Sequence, residues 1–175
     1  MPDDHELPTW NQALAPEAAQ RRETFARFGL AVYQAQCVEQ QLGILLATTL
    51  NPEFLRASAE VRERFFGSEC GKTLGQMVAS IRKRVAVSSA LLARLERAVK
   101  VRNWLAHQYF FLRGLAILSS AGRDQMIEEL QEAADFLGEV DTELTGITVK
   151  WLEFLGVSRE DLNAQFRNHT QSDDA

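Results

Sequence analysis

Residues 99–114 read VKVRNWLAHQYFFLRG, the most aromatic segment of a 175-residue chain. Arg102, Asn103, His107 and Tyr109 stand in it among Trp104, Leu105, Phe110 and Phe111. Taking 100° per residue from Leu95, Val99 lies at about 40°, Arg102 at about −20°, Ala106 at about 20° and Tyr109 at about −40°. Arg102 therefore belongs to the apolar stripe of a predicted helix. Asn103 and His107, at about 80° and 120°, border that stripe, and Lys100 follows at about 140°. If the helix continues through Tyr109, one edge of its buried face presents a guanidinium, an amide and an imidazole together.

An arginine on a core stripe must be paired, or must line a cleft or an interface, because an unpaired buried charge costs several kcal/mol. A partner exists further up the chain. Phe28, Val32, Ala35, Glu39, Leu42 and Leu46 follow three and four spacing, which places Glu39 on the apolar stripe of another helix. One reading of the segment is thus an Arg102 to Glu39 structural ion pair with His107 a satisfied core histidine. The other is a polar centre set deliberately into an apolar wall.

Outward from this segment the pattern is helical throughout, with no sustained period-two alternation. A first long helix is predicted over 16–50, with Pro16 in its first turn and NPE ending it. Asn51 as cap and Pro52 as first residue predict a second helix over 52–66, ended by GSECG. A third covers about 72–84, and Ser88 or Ser89 caps a fourth, ALLARLERAVKVRNWLAH, that runs on to a break near Gly114. A fifth spans about 121–155, where Gly138 or Gly146 would kink it or TGIT would split it. Ser158 with Asp161 forms a capping box for a short terminal helix. The expected fold is all-α, a bundle of about five to six helices. Residues 1–15 are expected to be an N-terminal arm, 16–167 a single domain and 168–175 a disordered tail.

Composition narrows the class. The chain is 46% apolar and 25% charged, with 4 prolines and 10 glycines, as in an ordinary globular domain. No apolar run is long enough to span a bilayer, and no basic region followed by an apolar one opens the chain, so no membrane partner and a cytoplasmic location are expected. Cys37 and Cys70 lie 33 positions apart without metal-ligand spacing and read as small buried hydrophobes. His5 and His169 fall in the presumed tails and suggest nothing, and no metal or cofactor site is expected. The Gly71-Lys72-Thr73 triplet in GSECGKTLG lacks both the glycine spacing and the preceding strand of a phosphate loop.

Net charge is −5, which by itself disfavours nucleic acid, but its distribution is uneven. Between Ile81 and Arg113 eight basic residues face the single acid Glu96, a local balance of +7, while the remaining chain stands at −12. Arg82, Lys83, Arg84 and Lys100 within this basic centre are candidates for guiding an RNA backbone; a solvated helix end is the plain alternative.

The run RNWLAHQYF resembles the signature of the HEPN superfamily, small helical bundles whose motif is an arginine, a polar residue and a histidine after four to six intervening positions. The resemblance covers the motif strictly and the order of long helices loosely. It implies a HEPN-like fold and a metal-independent endoribonuclease that acts as a homodimer, two copies of Arg102, Asn103 and His107 meeting in one cleft. The residue types suit that hydrolase chemistry. RNA is cut without a metal when its own 2′-hydroxyl attacks the adjacent phosphate, a step that needs a proton acceptor, a clamp on the phosphate oxygens and a donor for the leaving oxygen. Histidine, with an unperturbed pKa of about 6.5, serves in proton transfer near neutral pH. Arginine holds phosphate with a rigid fork that stays charged. Asn103 would orient His107 or touch the phosphate, and a two-fold axis would duplicate all three groups.

Some HEPN toxins of toxin-antitoxin pairs carry Arg-x4-His-x-Tyr, and a partner nucleotidyltransferase silences them by modifying the tyrosine. Tyr109 stands at that spacing, so the resemblance implies a toxin, stress or phage-defence setting with a cognate antitoxin or nucleotidyltransferase. The competing reading of Tyr109 is an aromatic in the core or dimer seam. The competing reading of the whole chain is a non-catalytic HEPN-like interaction or dimerisation module.

Overall fold

A computed structural model of the chain describes residues 15–51 and 53–157. The expected helix at Ser158 lies outside them. The described residues form α1 (Pro16–Leu50), α2 (Ala59–Cys70), α3 (Leu74–Arg84), α4 (Ser89–His107), α5 (Tyr109–Arg113) and α6 (Ser120–Phe154), with 3-10 turns at Phe54–Arg56 and Ala116–Leu118. No strand occurs among them, so the expected all-α bundle is the fold observed.

The two longest helices, 35 residues each, lie side by side and run parallel. Their register is visible in the contacts between them. Gln20 donates to Asp124, Arg27 to Gln131, and Gln34 lies over Gly138, each pair separated by 104 positions and each step by seven residues. The facing stripes repeat accordingly. Thr24, Ala31, Ala35, Val38, Leu42 and Leu45 are buried on α1, and Met126, Leu130, Ala133, Leu137, Val140 and Leu144 on α6. Three and four spacing held over this length is the pattern that keeps two helices in contact along one seam. Small alanines on both stripes let the backbones approach, while each fully buried leucine contributes about 1.5–3 kcal/mol.

α4 crosses this pair in the opposite sense. Arg94 reaches Glu139 and Glu143, and Arg97 lies 4.1 Å over the Phe136 ring, so partner numbers on α6 fall as those on α4 rise. Leu91, Leu95, Ala98 and Leu105 fill the groove between α1 and α6. α3 is antiparallel to α4, with Arg82 against Glu96 at one end and Gly75 beside Val99 at the other.

Local chemistry explains the boundaries, including those that differ from expectation. Asn51 does not open a helix: its amide donates to the Ala47 carbonyl at 2.9 Å and closes α1. A 3-10 turn follows, and Ser58 caps α2 by accepting from the Val61 amide, so that helix starts later than expected and runs through Gly67 to Cys70. Thr73 and Gln76 form a reciprocal capping box that starts α3, while Lys72 pairs with Glu69 at 2.6 Å. Ser88 is the cap of α4, accepting from the Leu91 amide at 3.1 Å. α6 runs uninterrupted through Gly138 and Gly146 because its seam with α1 holds it over its length.

One charge is fully buried in the fold. Arg123 is 1% exposed, donating from Nε to Gln20 Oε1 at 2.7 Å and from Nη1 to the Ile117 carbonyl at 3.0 Å. Neutral acceptors satisfy it, and Gln20 in turn donates to Asp124 and to the Ser120 carbonyl, so one amide ties the start of α1 to the start of α6. The preceding Gly122 is required by packing: a Cβ there would stand 2.7 Å from the Ala116 carbonyl carbon.

Candidate functional site

The stripe that α4 buries is Leu91, Leu95, Ala98 and Leu105, with Arg102 half-buried on the same line, and Tyr109 continues it after a break. Its centre lies about 40° from Leu95, on the side away from Asn103 and His107. Both are therefore exposed on the outer face of α4, one turn apart, and Ala106 is exposed beside them. The border position expected for Asn103 and His107 gives way to a solvent-facing one, and the core-histidine reading of His107 falls with it.

Arg102 leans the other way. Its Nε donates to Glu39 Oε1 at 2.8 Å, and its Nη1 donates to Asn103 Oδ1 at 3.3 Å. The side chains of Arg102 and Glu39 remain 29% and 24% exposed, so the pair sits at the rim of the bundle rather than in its core. Arg102 is thereby held by its Nε edge with part of the guanidinium still open to solvent. The structure brings Glu39, Arg102 and Asn103 into one hydrogen-bonded chain, with His107 on the adjoining turn.

The helix does not continue through Tyr109. Gln108 adopts φ −127° and ψ −24°, its amide still bonds the Trp104 carbonyl at 3.0 Å, and a new short helix α5 begins at Tyr109. The break turns Tyr109 inward. It is 0% exposed, its hydroxyl donates to the Met126 carbonyl at 3.1 Å, and Trp104, Phe28 and Phe110 surround the ring. Burial, and then the nearby Glu129 carboxylate, push the phenol far above the ordinary tyrosine range. Modification of that oxygen requires α5 to come away from α6. The bidentate Arg113 to Glu129 pair, at 2.6 and 2.8 Å, holds α5 down.

α5 and the turn after it carry apolar side chains outward. Phe111 is 90% exposed and Leu115 85%, with Leu112, Leu118 and, on α1, Phe25 exposed as well. In sequence this run reads as core or interface; only Tyr109 enters the core completely. No local signal separates the two outcomes, because the Gln108 break contains neither glycine nor proline.

Half of the eight basic residues of the basic centre are paired within the fold, Arg102 with Glu39 among them. Arg82 pairs with Glu96, Arg94 with Glu139 and Glu143, and Arg113 with Glu129. Lys83, Arg84 and Lys100 are exposed and form no ion pair among the described residues. Arg82 meets α4 at Glu96, eleven positions and about 16 Å of helix before His107, so the 82–84 cluster lies well down the helix from the polar trio. Lys100 is the nearer cation.

Two surface recesses flank these elements. One, of about 280 Å³, is lined by Gln36, Glu39, Gln40 and Phe66; the other, of about 470 Å³, by Arg27, Ile127, Glu128, Gln131 and Glu132. His107 lines neither. Among the described residues, no three His, Cys, Asp or Glu side chains converge where they would hold a metal ion, and no helix is long and apolar enough to cross a membrane. Cys37 is a free, half-buried thiol.

Comparison with protein-family models, with curated proteins and with solved structures finds no match to this chain.

Proposed function

We propose that the protein is a HEPN-like, metal-independent endoribonuclease that works as a homodimer, with Arg102, Asn103 and His107 as its centre. The observation that carries this reading is the exposed pair Asn103 and His107 on one face of α4, with Arg102 hydrogen-bonded to Asn103 at their edge. An imidazole open to solvent can exchange a proton with a 2′-hydroxyl, and a guanidinium fixed through Nε can present its remaining N–H groups to a phosphate. One protomer supplies one set. A second copy would supply the other acid or base, and the exposed Phe111, Leu112, Leu115 and Leu118 beyond His107 are the apolar surface that such a dimer would cover. Lys100 would meet the RNA backbone next to the trio, and Lys83 and Arg84 further along. A toxin or defence setting in the cytoplasm, with a cognate antitoxin, belongs to the same reading; silencing through Tyr109 would demand prior opening of α5.

The test is degradation of mixed single-stranded RNA in EDTA. His107→Ala is expected to remove activity by about 10²–10⁴-fold, the usual contribution of a positioned acid or base, with helicity and oligomeric state unchanged. Wild-type protein that leaves diverse RNAs intact at concentrations where it is dimeric would count against the proposal.

A second reading has its own observation. The Arg102 to Glu39 pair is complete within one protomer, which suits a non-catalytic dimerisation module whose arginine merely seats α4 on α1. In that case Phe111→Asp and Leu115→Asp would abolish self-association with no nuclease activity to lose.

A further inference from the structure

We propose that the recess between α1 and α2 beside the Arg102 to Glu39 pair receives an unstacked nucleobase of the RNA strand whose phosphate lies on Arg102, an inference that rests on the ribonuclease reading. Glu39 links the two places: its Oε1 accepts from Arg102, and the residue also lines the recess with Gln36, Gln40 and Phe66. A phosphate on the open edge of Arg102 therefore brings the attached nucleotide to the mouth of this recess.

Size and lining agree with that occupant. At about 280 Å³ the recess falls just below the range of about 300–1,000 Å³ typical of sites for whole small molecules, and suits a single ring system. Phe66, half-buried, offers an aromatic face against which any base can stack. Gln36 and Gln40 are exposed and one turn apart on α1, and each amide presents both a donor and an acceptor. Among the described residues the Glu39 carboxylate accepts only from Arg102, which leaves Oε2 for an exocyclic amine. An acceptor at that position favours cytosine over uracil, whose corresponding edge carries a carbonyl.

The experiment measures binding of non-cleavable 2′-O-methyl RNA by fluorescence anisotropy, with base-bearing and abasic oligomers of equal length. Phe66→Leu keeps the apolar volume and loses the aromatic face; Phe66→Ala, checked for helicity, is its companion. Both are expected to weaken base-bearing oligomers by roughly five- to hundredfold and to leave abasic ones unchanged, since that is the range one stacked base contributes. Cytosine homopolymer is expected to bind the wild type more tightly than uracil homopolymer. Unchanged binding by both Phe66 variants, or equal loss for abasic and base-bearing strands, overturns the base site. Equal binding of the two homopolymers overturns the role of Glu39. Arg102→Ala separates the failures: if it weakens every oligomer while Phe66 has no effect, the ribonuclease reading survives and the recess does not. A wild type that binds no RNA removes both.

Discussion

Arg102 Nε donates to Glu39 Oε1 at 2.8 Å across the seam between α4 and α1, and both side chains keep about a quarter of their surface in solvent (29% and 24%). Partial exposure limits what the pair is worth, since water and salt compete for both charges. A double-mutant cycle with Arg102→Met and Glu39→Gln, read by urea denaturation at low and high salt, is expected to give a coupling of about 0.2–1 kcal/mol that shrinks with ionic strength. A coupling of several kcal/mol, insensitive to salt, would mean the pair is a core element with no spare capacity for a phosphate.

Gln20 and Arg123 are expected to matter more to stability than any surface ion pair. Gln20→Leu withdraws the acceptor of Arg123 Nε while the guanidinium stays buried, at a cost of about 1–3 kcal/mol. Thermal unfolding measures it; a loss below about 0.5 kcal/mol would show that the buried guanidinium finds another partner.

Tyr109→Phe removes one hydrogen bond to a helix carbonyl and leaves the aromatic cluster intact. A cost of about 0.5–1.5 kcal/mol is expected, against about 3–5 kcal/mol for Tyr109→Ala, where the ring contacts with Trp104, Phe28 and Phe110 go as well. Denaturant midpoints of the two variants decide it, and equal losses would contradict a tightly packed ring.

Asp141 gives a pH-dependent prediction. One of its carboxylate oxygens is buried without a hydrogen-bond partner, and burial raises its pKa above the ordinary carboxylate range. The folded protein holds this proton more tightly than the unfolded chain, so stability falls as pH rises from the unfolded value of about 3.9 through the folded one, and the penalty persists at neutral pH. Asp141→Asn is expected to raise the melting temperature at pH 7, with the gain fading as pH drops toward 4. A stabilisation equal at both pH values would place its origin in packing instead of charge.

Much of the fold was legible because its signals are local. Pro16 and Asn51-Pro52 bracket α1 to the residue, and Ser88 marks α4. The Arg102 to Glu39 contact was legible too, since each residue breaks an apolar stripe that the other can mend. The misread boundaries have competing signals: Asn51-Pro52 imitates a helix start while Ser58 makes the real one, and Gly67, the first glycine of GSECG, sits inside α2, which ends only at Cys70 with Gly71 as its C-cap. Three features were beyond local reading. The parallel register of α1 and α6 depends on contacts 104 positions apart, the burial of Arg123 on an acceptor from the other end of the chain, and the Gln108 break on the core that captures Tyr109. For the candidate site, counting the stripe from Leu95 alone put Asn103 and His107 on its edge; the true centre, fixed by Ala98 and Leu105, turns them to solvent.

The most direct measurement concerns the ends that cleavage leaves. End-labelled single-stranded RNA is incubated with the protein in EDTA, and the 5′ fragments are resolved for 2′,3′-cyclic phosphate. Attack by the RNA's own 2′-hydroxyl requires that end, so cyclic phosphate from the wild type, absent with His107→Ala and reduced with Arg102→Met, is the expected result. Intact RNA, or fragments formed equally by His107→Ala, would contradict a nuclease centred on these residues.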